Sequence, residues 1–479
     1  MPRRIAIHAG HVIAFDGNGH RLLRDGTVLV DDGRIVSVGP RPAARAAADE
    51  TIEARDGILT PGLISTHAHI GGSPLDRSFI EDRGNPQFFY SGLFELLPVR
   101  GAAQDEEATR ACVDFSMAEL LRGGVTTVME IGGSSEYVAA RAADYGLRVY
   151  VGLAFRSGRW LTSDGRRVEW EWDEEQGRRG LARAIELHKQ YDGAHGDLVR
   201  CFFSPAQVDT CTPDLLKASK RAADERGRPW QVHASQSVVE FNEMLARHGK
   251  TPIAWLSDLG VLGPNAILGH AIVTGGSSWT NYPAGDVAIM AGAGCSVAHA
   301  VWVFARRGIA MESFGAYRRA GVNMSLGTDT NPQSVIEAMR WAAVVSKIVE
   351  RETEATTAAH VFDAATLGGA KALGRDDLGR IAPGARADLV LWKGASWGLT
   401  PLRDPVKNIV YNASAEDVDR VWVDGRLVVE GGRVRAADER AILAALQAAG
   451  ERMWPRMRQL DWAGRDADAL SPQTYPEWR

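Results

Sequence analysis

Cysteine is scarce in this chain: Cys112, Cys201, Cys211 and Cys295 are all there are in 479 residues. None sits in a Cys-x-x-Cys pair, so neither a disulfide framework nor a thiolate zinc site is indicated, and buried free thiols are expected. Long apolar runs are missing too. No stretch approaches the roughly 20 residues that cross a bilayer, and Met1-Pro2-Arg3-Arg4-Ile5-Ala6-Ile7-His8 is too short in apolar run for a signal peptide. The expectation is a cytoplasmic protein without a membrane partner. There is no excess of positive charge either. The net charge of -5 at pH 7 gives no global basic bias toward nucleic acid. Internal repeats and low-complexity tracts are also absent. What remains is 45% hydrophobic and 24% charged, ordinary globular composition with material for a large core.

Residues 1–58 read as short strands with tight turns. Val28-Leu29-Val30 and Arg34-Ile35-Val36-Ser37-Val38-Gly39 flank Asp31-Asp32-Gly33, a hairpin signal. Arg41 to Asp49, rich in Ala, Arg and Pro, reads as a loop. From Leu59 strands and helices alternate. The expected strands are 125–129, 148–153, 199–204, 229–233, 266–270, 286–290 with 295–299, and 323–329. Helices over 106–121, 213–226 and 334–350 separate them. About eight such alternations argue for a parallel barrel. After Ala364-Ala365-Thr366 the β pattern returns at 387–392 and 421–430, the latter with the hairpin signal Asp424-Gly425. The fold class expected is α/β: a (β/α)8 TIM-type barrel with a small β-sandwich domain built from both chain ends. The divisions are 1–58, 59–370, 371–436, and 437–479 as a C-terminal helix and tail. The tryptophans of the tail, Trp462 and Trp478, suit either a disordered end or packing on a neighbouring surface.

The stretch Leu59-Thr60-Pro61-Gly62-Leu63-Ile64-Ser65-Thr66-His67-Ala68-His69 runs from a turn into an apolar strand and ends in two histidines one residue apart. Residues i and i+2 of a strand face one side. Both imidazoles can therefore aim at one point past the strand end, which suits a first-row metal, zinc by default. Alone, the pair fits two surface histidines equally well. His233, His270 and Asp329 also fall at C-terminal ends of expected strands, where barrel chemistry collects.

With these residues the chain resembles the amidohydrolase superfamily. The resemblance covers nearly the whole length. It rests on Pro61 to His69, Gly124-Val125-Thr126-Thr127-Val128, Val232-His233, Gly269-His270, Leu326-Gly327-Thr328-Asp329 and Gly379 to Val390. The branch it looks most like includes triazine hydrolases, guanine and methylthioadenosine deaminases, and phenylurea and thiocarbamate hydrolases. The resemblance implies that His67, His69, His233 and Asp329 ligate one divalent metal, Zn2+ ahead of Fe2+ or Mn2+. It also implies that Asp329 is the general base and that His270 orients or protonates the substrate. A second metal usually needs a Lys or Glu after the fourth strand. Val199-Arg200-Cys201-Phe202-Phe203-Ser204 has neither, so a single metal is expected. A divalent metal lowers the pKa of bound water toward neutrality, and hydroxide attack on a trigonal carbon joined to nitrogen follows.

Two departures matter. Deaminases of this branch often carry a Glu three residues after the fifth-strand His, where this chain has Gln236; where they often carry a His, it has Gln207. A glutamine holds a ligand but does not transfer a proton at neutral pH. Both are expected to contact substrate, and both weigh toward an amide, carbamate or urea over ring deamination. The other possibility at Gln236 is that it merely caps or packs while another acid takes the role. The rivals are a deaminase or dechlorinase of a nitrogen heterocycle, and a non-catalytic barrel scaffold. The loops Gly71 to Pro98 (Phe79, Phe88, Phe89, Tyr90, Phe94, with Glu81 and Asp82) and Arg156 to Glu175 (Trp160, Trp170, Trp172) suggest an apolar, small-molecule substrate or a subunit interface. A homo-oligomer is expected. His299 is a second-tier pocket residue; His188, His195, His248 and His360 are expected to be structural or solvated.

Overall fold

A computed structural model of the chain describes residues 4–41, 48–79 and 82–478. Most of the loop expected over 41–49, together with Glu81 and Met1 to Arg3, lies outside the described residues. The N-terminal part forms β1 (Ile5–Phe15), β2 (His20–Asp31), β3 (Arg34–Pro40) and β4 (Glu50–Pro61). The β2–β3 turn carries Asp32 and Gly33 at φ of 48° and 73°, the left-handed pair a tight hairpin needs.

Parallel strands follow. They are β5 (Leu63–Ala68), β6 (Val125–Gly132) and β7 (Arg148–Phe155). A hairpin, β8 (Gly158–Leu161) and β9 (Glu169–Trp172), interrupts them. Then come β10 (Val199–Cys201), β11 (Ser204–Pro205), β12 (Trp230–Ala234), β13 (Ala266–His270), β14 (Ser296–His299) and β15 (Asn323–Leu326). The C-terminal part adds β16 (Leu389–Trp392), β17 (Val418–Val423), β18 (Arg426–Glu430) and β19 (Arg433–Val434).

Both chain ends share one sheet, in the order β19-β18-β17-β16-β4-β1-β2-β3. Its seam is β4, parallel to β1 and antiparallel to β16. The parallel strands form β10-β7-β6-β5, with β11 beside β7, and β12-β13-β14-β15. Single parallel bridges, Phe203 to Trp230 and Gln207 to His233, join the first group to the second; Ala68 to Asp329 joins its end back to β5. The strand period sorts the side chains. Ile64, Met129, Tyr150, Phe202 and Ile267 meet in one core on one face. Leu63, Val128, Val149, Val232 and Leu268 meet the helices on the other.

Two expectations need correction. Residues 286–290 are not a strand but the start of a helix, Asp286–Ala293, closed by Gly294 at φ 70°. A short apolar run reads alike as buried strand or helix, and here the helical cap decides. The strand expected over 199–204 is broken between Cys201 and Ser204. The terminal helix spans Glu439–Met453 and tightens into a 3-10 turn at Trp454–Gln459, where Pro455 removes a backbone donor.

The parallel strands and the shared sheet are pinned by Arg148. It is fully buried, donates to both carboxylate oxygens of Asp388 at 3.2 Å and lies 2.7 Å from Asp424 Oδ1. The tail packs in part: Trp462 Nε1 donates to Glu95 Oε1 at 3.2 Å, while Tyr475 and Trp478 are exposed. All four cysteines are free and buried, as expected. No helix among the described residues is long and apolar enough to cross a membrane.

Candidate metal centre and active site

His67, His69, His233, His270 and Asp329 come together where the parallel strands end. The hydrogen bonds of the imidazoles settle their orientation. His69 Nδ1 faces Ile131 O at 2.8 Å and His233 Nδ1 faces Ala206 O at 2.6 Å. Carbonyl oxygens only accept, so each Nδ1 carries the proton and each Nε2 presents its lone pair. His67 Nδ1 faces Gln231 Oε1 at 2.7 Å; the Gln231 amide is oriented by donating through Nε2 to Thr66 O at 2.8 Å. The three Nε2 atoms then converge. Those of His69 and His233 are 3.2 Å apart, and His67 Nε2 is buried with no hydrogen-bond partner among the described residues. Asp329 Oδ1 lies 3.6 Å from His67 Nε2 and 3.4 Å from His69 Nε2. The other oxygen, Oδ2, lies 3.8 Å from His270 Nε2. His67, His69 and Asp329 form one group close enough to share a cation, and His67, His233 and His270 another.

The local sequence explains this crowding. A Cβ on Gly269 would sit 2.8 Å from His67 Cε1, and one on Gly327 would sit 2.7 Å from His67 Cβ. Both motif glycines thus make room for the buried imidazole. Asp329 has φ 57°, a costly conformation for a non-glycine residue. It is held there because its N–H donates to His67 O at 2.9 Å and its carbonyl accepts from His69 N at 2.7 Å.

Burial opposes ionisation of Asp329, but His270, His67 and His69 outweigh it and hold the carboxyl well below its usual range. Burial pushes the His270 imidazole down to about 3, with neighbouring histidines adding to the fall against the pull of Asp329. His233 is driven down by burial and then by the histidines around it. Neutral imidazoles facing a carboxylate are a donor set for a divalent cation.

A cavity of about 730 Å³ opens over these groups, lined by His69, His233, His270 and Asp329 and also by Gln207 and Gln236. The expected ligands His67, His69, His233 and Asp329 thus lie around one place with His270, Gln207 and Gln236. Gln207 bridges to His233 through its backbone and accepts from Thr210 Oγ1 at 2.8 Å. Gln236 is buried, its side chain beside the Glu240 carboxyl. Of the loop aromatics, Trp160 lines the cavity, joined by Phe304, which sequence reading did not single out. His299 is buried and lies 6.0 Å from Phe314; it is not among the lining residues.

Sequence reading also missed Gln231, although it sits two residues before His233 on one strand, the same spacing that flagged His67 and His69. Glu240 was missed as well. Its carboxyl accepts from Ser235 N at 2.5 Å and Gln236 N at 3.2 Å, fixing the turn after His233.

The model of the amidohydrolase family matches residues 58–428. The chain belongs to the amidohydrolase family. It is a hydrolytic enzyme acting on carbon–nitrogen bonds. It is 28% identical to the 5'-deoxyadenosine deaminase of Methanothermobacter thermautotrophicus, over 89% of this chain and 94% of that protein. It is 28% identical to the 5-methylthioadenosine/S-adenosylhomocysteine deaminase of Desulforudis audaxviator, over 94% and 99%. Among solved structures, an adenosine deaminase from Xanthomonas campestris with bound zinc superposes with a TM-score of 0.82 at 27% identity, over 94% of this chain and 98% of that one. A mutant of atrazine chlorohydrolase from Arthrobacter aurescens, complexed with zinc and atraton, gives 0.80 at 24% identity, over 93% and 100%, a likeness of fold.

Proposed function

We propose that this amidohydrolase uses one divalent metal, zinc first, to release ammonia hydrolytically from an amino-substituted nitrogen heterocycle. The observation that carries the metal is the committed Nδ1 of three histidines, which leaves His67, His69 and His233 Nε2 and Asp329 Oδ1 to hold it. The absence of Lys and Glu from 199–204 supports one metal rather than two. When bound, the metal would supply a nucleophilic hydroxide at neutral pH.

The residues do the rest. The Asp329 carboxylate accepts the proton of the attacking water and delivers it to the leaving nitrogen, so that the C–O bond forms, the C–N bond breaks and ammonia departs. His270, neutral and 3.8 Å from Asp329 Oδ2, donates a hydrogen bond to the charge that builds on the ring. Gln236 and Gln207 orient the ring by hydrogen bonds.

The choice of a heterocycle is supported by the relatives, named deaminases over nearly their full length, and by the aromatic walls Trp160 and Phe304. The amide, carbamate or urea preference from sequence becomes the second reading, and Gln236 is what favours it. Ammonia assays on 5'-deoxyadenosine, 5'-methylthioadenosine, an aminotriazine and a urea panel separate the two. Release from ring amines is expected; turnover of ureas alone would establish the second reading. Turnover surviving in His69→Ala would refute the site, and a purified protein that takes up no metal would refute the metal.

We also read the parallel strands and their linking bridges as one closed (β/α)8 barrel. The shared sheet, whose strands β1, β2, β4, β16 and β17 contribute to one core, we read as a small β-sandwich. The divisions 1–58, 59–370, 371–436 and 437–479 and the homo-oligomer are carried forward as proposals.

A further inference from the structure

We propose that Trp160 is the specificity-determining residue of this cavity, a fixed aromatic wall that selects a planar ring, and that Asp209 is the residue that positions it. Trp160 lies on the β8–β9 hairpin, directly opposite Trp170 in the antiparallel pairing. Cross-strand partners share a face, and both indoles reach one atom: Trp160 Nε1 donates to Asp209 Oδ2 at 2.7 Å and Trp170 Nε1 at 3.0 Å. Asp209 is fully buried, so this acceptor is not diluted by water.

The hairpin is fixed from two more sides. Its base is tied to the Asp209 segment, where Gly158 N donates to Thr210 O at 2.7 Å. The Arg247 guanidinium lies 4.8 Å from the Trp170 ring and 4.9 Å from that of Trp172, and Nη1 donates to Asp209 O at 2.8 Å. From the opposite loop Phe94 meets the Trp160 ring edge-on at 5.0 Å. An indole fixed in this way pays little entropy when a flat ligand stacks on it. The segment carrying Asp209 is also the one whose Gln207 bridges to His233. The wall and the metal-facing histidine are thus built on one backbone.

The class selected is planar and unsaturated, which rests on the heterocycle reading above only for the choice of probes. Calorimetric binding of inosine and 5'-deoxyadenosine to the metal-loaded protein is measured beside ammonia release. Trp160→Ala is expected to weaken binding and raise KM about 10- to 100-fold, the range that loss of one base–aromatic stack gives, with kcat within about threefold. Trp160→Phe keeps a ring but loses the bond to Asp209 and should raise KM several-fold. Asp209→Asn, which can keep one oxygen on both indoles, should stay within about twofold. An acyclic urea should feel none of these changes. If ammonia is never released but ring binding depends on Trp160, the function proposed above fails and this inference stands. Ring binding that is absent, or unchanged in Trp160→Ala, overturns it. Trp160→Phe equal to the parent removes the role of Asp209.

Discussion

On the floor of the cavity three imidazoles each commit Nδ1 to an oxygen of the scaffold, and two glycines are spent on the space around His67. On the wall, two indoles hang from one carboxylate oxygen of Asp209, on a hairpin inserted after β7. The floor is held by two backbone carbonyls, of Ile131 and Ala206, and by the Gln231 side chain, on or beside the parallel strands. The wall is carried on an inserted hairpin and held chiefly by one side chain, Asp209, from the segment that follows β11. The difference teaches a division of labour in the proposed enzyme: chemistry on the rigid elements, selectivity on the insert.

The largest effect should come from the floor itself. Asp329→Ala removes a ligand and the general base together, and kcat/KM in steady-state assays should fall by about 10³-fold or more with the melting transition retained. A fall shared by ring and acyclic substrates separates it from Trp160→Ala, whose loss should be confined to rings. One step back, Gln231→Ala takes the acceptor from His67 Nδ1. Metal affinity, read by competition with a chelator, should drop about 10- to 100-fold. An unchanged affinity would mean that the floor does not depend on its backing.

A change remote from both regions sharpens the contrast. Arg148→Met leaves buried Asp388 without its guanidinium partner, while half-buried Asp424 keeps Arg386. Denaturant unfolding should show a loss of about 3–5 kcal/mol, with KM for rings and ureas alike unaffected. The smallest effect concerns pH. Burial holds the His299 imidazole near 4. The unfolded chain binds that proton below about 6.5 and the folded chain does not. Stability is therefore complete above about 6.5 and falls toward pH 4, by up to about 1.4 kcal/mol per pH unit for this group. His299→Gln should flatten that slope.

Much of the floor was legible in the sequence because it obeys short rules. The His67/His69 spacing reports a strand face, and Asp-Gly between β-rich runs reports a tight turn, seen again at Asp424 and Gly425 with φ of 48° and 72°. The seventh-strand region was half misread, since Asp286 to Met290 has no period to separate helix from strand. The wall was legible only as composition. Trp160, Trp170 and Asp209 are tied by contacts 39 and 49 residues apart in sequence, and no local pattern announces that one buried carboxylate gathers two indoles. Gln236 was flagged as a missing acid. That Glu240 stands behind it, fixing its backbone, is a tertiary fact.

The most direct test counts metal ions per chain in purified wild-type protein and in His69→Ala, by elemental analysis after dialysis against trace zinc. The account predicts close to one equivalent in the wild type and nearly none in the variant. Two equivalents in the wild type, or undiminished zinc in His69→Ala, would contradict it.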